Sequence, residues 1–202
     1  MSKLIALVGM PGAGKTRASE FFTEIGYQRL RFGQIVLDEA IRLGSVNEKT
    51  ESIIRNNFRK RYGKGAMAIL NLSKIDTLLK KGPVVIDGLY SWAEYKVLKK
   101  NYDLAVIAIL APPEIRYQRL TNRVLDLHND PKAINRSLSP VEAQFRDQDQ
   151  IENADQGGPI AMADHFIVND GSRQHLLTQL KRVSYRLVNY YKAKIYSRER
   201  RY

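Results

Sequence analysis

The sequence predicts an α/β fold, a five-stranded parallel sheet with helices on both faces. Three observations predict it. Short apolar, β-branched runs recur at residues 4–8, 84–86, 104–110 and 165–168, each stopped by a turn signal. Stretches with helical periodicity separate those runs. A glycine-rich turn joins the first run directly to a helical stretch.

The elements follow in order. Residues 4–8 (Leu-Ile-Ala-Leu-Val) suit a buried parallel strand, and residues 17–22 continue as helix. Residues 27–32 read as a second short strand. A helix follows over 34–43, with Gly44 as its C-cap and Asn47 capping the next helix, 48–62. Helix returns over 66–80 until Gly82-Pro83 breaks it before the strand 84–86. The strand 104–110 stops at Pro112-Pro113, and a helix runs from 113 to 124. Residues 125–140 are polar and rich in turn formers, as in a lid, and helix resumes from Pro140 to about Glu152. After the strand 165–168, Ser172 can cap a long last helix whose apolar face is Leu176, Leu180, Val183, Leu187, Tyr191 and Ile195. One domain over residues 1–202 is expected, with an acceptor region at about 33–80.

Composition narrows the classes. Hydrophobic residues make up 44% and charged residues 27%, as in an ordinary globular protein. No apolar stretch reaches the roughly 18 residues of a membrane span, so no membrane partner is expected. A strand entered by Leu4 leaves no room for a signal peptide, and a cytoplasmic location is expected. Cysteine is absent, which excludes disulfides and cysteine-based zinc sites. The net charge of +12 is uneven: residues 172–202 hold nine Lys/Arg against one acidic residue, Glu199.

Residues 9–16 read Gly-Met-Pro-Gly-Ala-Gly-Lys-Thr, a complete phosphate-binding loop. Gly9, Gly12 and Gly14 let the backbone curl so that N–H groups, including that of Ala13, face a phosphate. Lys15 supplies charge for the β- and γ-phosphates, and the Thr16 hydroxyl can ligate Mg²⁺. Asp87, directly after an apolar strand, is the second candidate for that metal; the plain alternative is a carboxylate capping a turn with Gly88. Arg119 and Arg123 share a helix face, and Arg146 stands across the 125–140 stretch. Arginines brought in by a closing lid stabilise charge on a moving phosphoryl group. Arg116 and Arg136 are assigned to solvated surface. Asn169 and Gly171 belong to a loop that would lie beside the phosphate loop and wall a base, although a simple turn and N-cap also explains it.

Across most of its length the chain resembles P-loop kinases of small nucleotides, the group containing adenylate kinase and dephospho-CoA kinase. It is most like a mainly archaeal set of dephospho-CoA-kinase-like proteins. The matching pieces are residues 8–16, Val85-Ile86-Asp87-Gly88, residues 116–120, Asn129-Asp130-Pro131 and residues 163–172. The resemblance implies a three-layer P-loop NTPase fold with a small lid, ATP and Mg²⁺ as cofactors, and a nucleotide-like acceptor. It also implies that Arg119 and Arg123 contact the adenine and phosphates, that Arg146 clamps the transferring group, and that Arg42, Arg55, Arg59 and Arg61 lie where an acceptor binds. Two positions depart from the pattern. Gln34 stands where related sequences often have an Asp thought to deprotonate a sugar hydroxyl, and Tyr90 stands where the archaeal proteins tend to have Arg.

Two functions compete on these residues. One is phosphoryl transfer from ATP to a small nucleotide-like acceptor. The other is a nucleotide-dependent ATPase or switch that binds RNA through residues 181–202. There Tyr185, Tyr190, Tyr191, Tyr196 and Tyr202 alternate with Lys and Arg. A solvated basic helix would give the same pattern.

Overall fold

Leu4, Ala6 and Val8 face one side of the first strand, and Ile5 and Leu7 face the other; all five are buried. A strand apolar on both faces has to lie inside a sheet that is covered twice. The computed structural model describes residues 4–122 and 139–199, with the side chains of all except Glu48 and 188–199. Within them the chain runs β1 (Leu4–Val8), α1 (Lys15–Glu24), β2 (Gln28–Arg31), α2 (Gln34–Arg42), α3 (Glu48–Tyr62), α4 (Ala66–Lys81) and β3 (Val84–Asp87). It continues with α5 (Trp92–Asn101), β4 (Leu104–Leu110), α6 (Pro113–Thr121), α7 (Pro140–Glu152), α8 (Gly157–Ala161), β5 (His165–Val168) and α9 (Arg173–Glu199). The five strands form one sheet in the order β2-β3-β1-β4-β5, and every pairing is parallel.

Each face of the sheet has its own core. On one, Ile5, Leu7, Val85, Ile107 and Ile109 meet Ala18, Phe21 and Phe22 of α1 and Leu176, Leu180, Val183 and Leu187 of α9. On the other, Leu4, Ala6, Ile86 and Val106 meet Val36 of α2, Ile75 of α4 and Leu98 of α5. The expected α/β fold is therefore present. Tyr191 and Ile195 of the expected apolar face of α9, and residues 123–138 of the expected lid and helix end, lie outside the described side chains and residues.

The structure adds two helices that the apolar pattern does not announce. α5 starts at a capping box: Ser91 Oγ accepts from Glu94 N, and the Glu94 carboxylate accepts from Ser91 N. The Ser-x-x-Glu spacing was its only local signal. α8 begins with Gly157-Gly158, a pair that reads as a breaker. Its place is set by packing, since a Cβ on Gly158 would lie 2.9 Å from the Trp92 ring. Among the described residues no helix is long and apolar enough to cross a membrane.

β1 is central, and its pairings place Leu7 opposite Asp87 of β3 and Ile107 of β4. The loops that follow β1, β3, β4 and β5 thus gather at one sheet edge, where parallel sheets bind ligands. Phe22 anchors α1 beneath that edge, fully buried and edge-on to Phe21 and Tyr27. Phe22→Ala should lower the unfolding free energy by about 3–5 kcal/mol in urea titration. A loss under about 1 kcal/mol would show that α1 is not held by this contact.

Candidate active site

The turn between β1 and α1 is fixed by its glycines. Gly9, Gly12 and Gly14 have φ of 141°, 76° and 108°. A Cβ would lie 2.2 Å from the Ile109 carbonyl oxygen at Gly9 and 2.5 Å from that of Arg116 at Gly12. At Gly14 it would lie 2.4 Å from Asn169 Nδ2. Side chains are therefore excluded by both conformation and space. Gly14 caps α1 without a side-chain hydrogen bond, so the first-turn N–H groups are left for an anion.

Side chains from distant elements hold the turn's carbonyls from outside. Asn169 Nδ2, just after β5, donates to Ala13 O at 2.8 Å, and Gln156 Nε2, just before α8, donates to Gly9 O at 2.8 Å. Arg116 Nη1 of α6 donates to Pro11 O at 3.1 Å. Arg116 is itself locked by a bidentate pair with Asp147 of α7, at 2.8 and 2.6 Å, and its Nε donates to Ala111 O at 3.0 Å. The Tyr117 hydroxyl donates to the same carboxylate at 3.1 Å. The expectation that Arg116 is solvated is corrected here: both it and Asp147 are buried. Helical periodicity does put Arg116 near Leu120 on the inner face of α6, but its partner is remote in sequence.

Lys15 opens α1 and folds back onto its own loop. Its Nζ donates to Gly9 O at 2.6 Å and Met10 O at 3.1 Å, and lies 5.7 Å from the centre of the Tyr90 ring. Burial pushes the ammonium down to about 8; Asp87 opposes the shift, while Arg146 and Arg116 add to it. Arg146, exposed on α7, is thus close enough for its charge to act on Lys15. Tyr90 also covers Gly88, whose Cβ would meet the ring at 2.7 Å. The backbone N–H of Tyr90 is held at 3.2 Å by Glu94, whose carboxyl is pushed up to about 7 by burial against the pull of that N–H, the Ser91 N–H and Arg59.

Asp87 ends β3 on the α1 face of the sheet. Ser19 Oγ donates its one hydrogen to Thr16 O at 2.8 Å and sits 3.5 Å from Asp87 Oδ2, which places the carboxylate beside the first turn of α1. Arg29 of β2 also engages Oδ2, through Nη2 and through Nε at 3.1 Å. This ion pair was not among the sequence candidates. Its only local signal is the alternation that puts Arg29 and Arg31 on the opposite side of β2 from buried Leu30. Among the described residues all these contacts fall on Oδ2. Among the described residues no cluster of acidic and histidine side chains could hold a metal alone. The Thr16 hydroxyl in the first turn of α1 and the Asp87 carboxylate beside that turn fit Mg²⁺ that arrives with phosphates and keeps several waters.

The other sequence candidates are placed unevenly. Arg119 is half-buried on α6, and its Nη1 is buried without a hydrogen-bond partner among the described residues. Arg123 lies outside the described residues. A Cβ on Gly171 would sit 3.8 Å from His175, an ordinary contact. Gln34 opens α2 and bonds Asp38 at 2.8 Å. Arg42 is paired with Glu39 on the surface. In the basic C-terminal segment, Tyr185 is exposed, while the side chains of Tyr190, Tyr191, Tyr196 and Tyr202 lie outside those described.

The chain is similar to known proteins in sequence and in fold. A family described as AAA domain matches residues 5–136. A UPF0200 protein of Thermococcus gammatolerans is 32% identical over 184 residues, covering 88% of this chain and 92% of the relative. In fold, the chain is similar to a shikimate kinase from Acinetobacter baumannii, with a TM-score of 0.52, 15% identity and coverage of 92% and 93% of the two chains. It is similar to the same degree to a dephospho-CoA kinase from Campylobacter jejuni, with a TM-score of 0.52, 16% identity and coverage of 91% and 96%.

The depressed Lys15 sets an expected pH dependence. Below about 8 the ammonium is charged and attracts phosphate; above it, the free protein loses that charge. ADP affinity by calorimetry should be flat to about pH 7 and fall by up to about tenfold per unit above pH 8. A flat profile to pH 10 would show that Lys15 is not the group titrating.

Proposed function

The chain belongs to the UPF0200 family, and on that premise we propose that it is an ATP- and Mg²⁺-dependent phosphotransferase acting on a small nucleotide-like acceptor. The observation that carries this reading is the braced phosphate loop, with Lys15 folded onto it and Asp87 beside the first turn of α1. The kinase folds it resembles make nucleotide-dependent phosphoryl transfer the fitting chemistry for such a loop.

In this reading the N–H groups of the loop and of the first turn of α1 bind the phosphates, and Lys15 leaves its two carbonyls for the β- and γ-phosphates. Thr16 and Asp87 would hold Mg²⁺, which supplies charge neutralisation between those phosphates. Arg119 lies against the base, with its Nη1, unpaired among the described residues, available to a phosphate oxygen. Arg123 and Arg146 stabilise charge on the transferring group. Asn169 sets the loop's shape through Ala13 O, and Gly171 belongs to the base wall. An acceptor oxygen attacks the γ-phosphorus, and the bond to the ADP oxygen breaks. Gln34 cannot remove a proton, so an acceptor whose oxygen is already anionic, as in a nucleoside monophosphate, suits the site better than a neutral hydroxyl.

The test is ADP formation by the purified protein with Mg²⁺·ATP. It is measured alone and with AMP, CMP, UMP, GMP, dTMP, dephospho-CoA, shikimate and short RNA. Turnover should depend on one phosphate-bearing acceptor, yield a phosphorylated product, and fall at least about a hundredfold in Lys15→Ala. Turnover stimulated by RNA alone would replace this reading with the RNA-associated ATPase.

A further inference from the structure

Gln156 is fully buried in the turn between α7 and α8, and none of the steps above uses it. Its Nε2 donates at 2.8 Å to Gly9 O, the same carbonyl that accepts from Lys15 Nζ at 2.6 Å. Its Oε1 is buried without a partner among the described residues. The turn is held in an uncommon shape. Asp155 has a φ of 53°, a left-handed conformation that no other described non-glycine residue adopts. Such a conformation persists where its surroundings impose it. Here Gln156 N donates to Gln150 O at 3.1 Å, Gly158 packs on Trp92, and the Asp155 carboxylate lies 3.5 Å from Lys64 Nζ. Together they direct one amide onto Gly9.

We propose that Gln156 is a positioning residue that keeps Gly9 O hydrogen-bonded when Lys15 leaves it for a nucleotide phosphate. This rests on the nucleotide-binding reading given above. In the free loop Gly9 O has two donors. Once Lys15 moves, the carbonyl of buried Gly9 would be stranded if it had no second donor, and leaving a buried acceptor unpaired is unfavourable. Gln156 removes that penalty from the bound state. It leaves the free state almost unchanged, because there Lys15 already satisfies Gly9 O. The effect is tighter nucleotide binding through a residue that never touches nucleotide, and it depends on Lys15 being present to move.

That dependence separates positioning from simple packing. ADP with Mg²⁺ is titrated calorimetrically into wild type, Gln156→Met, Lys15→Met and the double variant, up to millimolar ADP so that weak binders saturate. Met matches Gln in length and packing but has no N–H donor. Gln156→Leu is the second apolar variant, and thermal melting establishes which variants are folded. The Gln156 substitution should weaken ADP binding by about tenfold when Lys15 is present and change it by less than about twofold in the Lys15→Met background. Unchanged affinity in both Gln156 variants would overturn the proposal, and so would an equal loss in both backgrounds. If wild type binds no ADP, the nucleotide-binding reading falls first and this proposal falls with it.

Discussion

A phosphate loop must turn its amides inward, and so it must keep its carbonyls elsewhere. Between β1 and α1 that constraint governs the structure. Glycine conformations at positions 9, 12 and 14 make the curl possible, yet glycines alone do not choose a curl, because they permit many. The choice is made by side chains outside the turn, which take up the carbonyls of Gly9, Pro11 and Ala13. Each brace comes from a different part of the chain. The Arg116–Asp147 pair ties α6 to α7, Gln156 sits before α8, and Asn169 follows β5. The loop's shape thus depends on the assembly of much of the C-terminal half of the protein.

The same constraint explains the buried charge at Arg116. A buried ion pair is a poor source of stability, since desolvation offsets most of the attraction. Its value here is direction. With Asp147 holding one edge of the guanidinium and Ala111 O accepting from Nε, Nη1 has a fixed aim at Pro11 O. Asp87 has a comparable arrangement. Arg29 engages Oδ2 through two nitrogens, which orients the carboxylate at the end of β3.

The sequence revealed what is local and hid what is remote. The spacing of Gly9 to Thr16 is contiguous, so the loop, its lysine and its hydroxyl were legible. So was the sheet, because β1, β3 and β4 are apolar runs with turn signals at their ends. The braces span 105 to 156 positions of sequence, and a single arginine, glutamine or asparagine gives no local sign of such a contact. Three arginines spaced along one stretch look like surface charge, so Arg116 reads as solvated. Arg29 carries no local sign of a partner that lies on another strand. α5 starts at one Ser-x-x-Glu spacing rather than on a long apolar stripe, and in α8 Gly158 lies too close to Trp92 for a Cβ, a contact remote in sequence.

Under the proposed nucleotide-binding reading, the loop is already shaped for phosphate and only Lys15 has to move. A crystal structure with ADP and Mg²⁺ tests it most directly. The bonds from Gln156, Arg116 and Asn169 to the carbonyls of Gly9, Pro11 and Ala13 should remain, and Lys15 Nζ should leave Gly9 O and Met10 O for the β-phosphate. Nucleotide bound elsewhere, or a loop that breaks these braces and turns its carbonyls to admit the phosphate, would contradict the account.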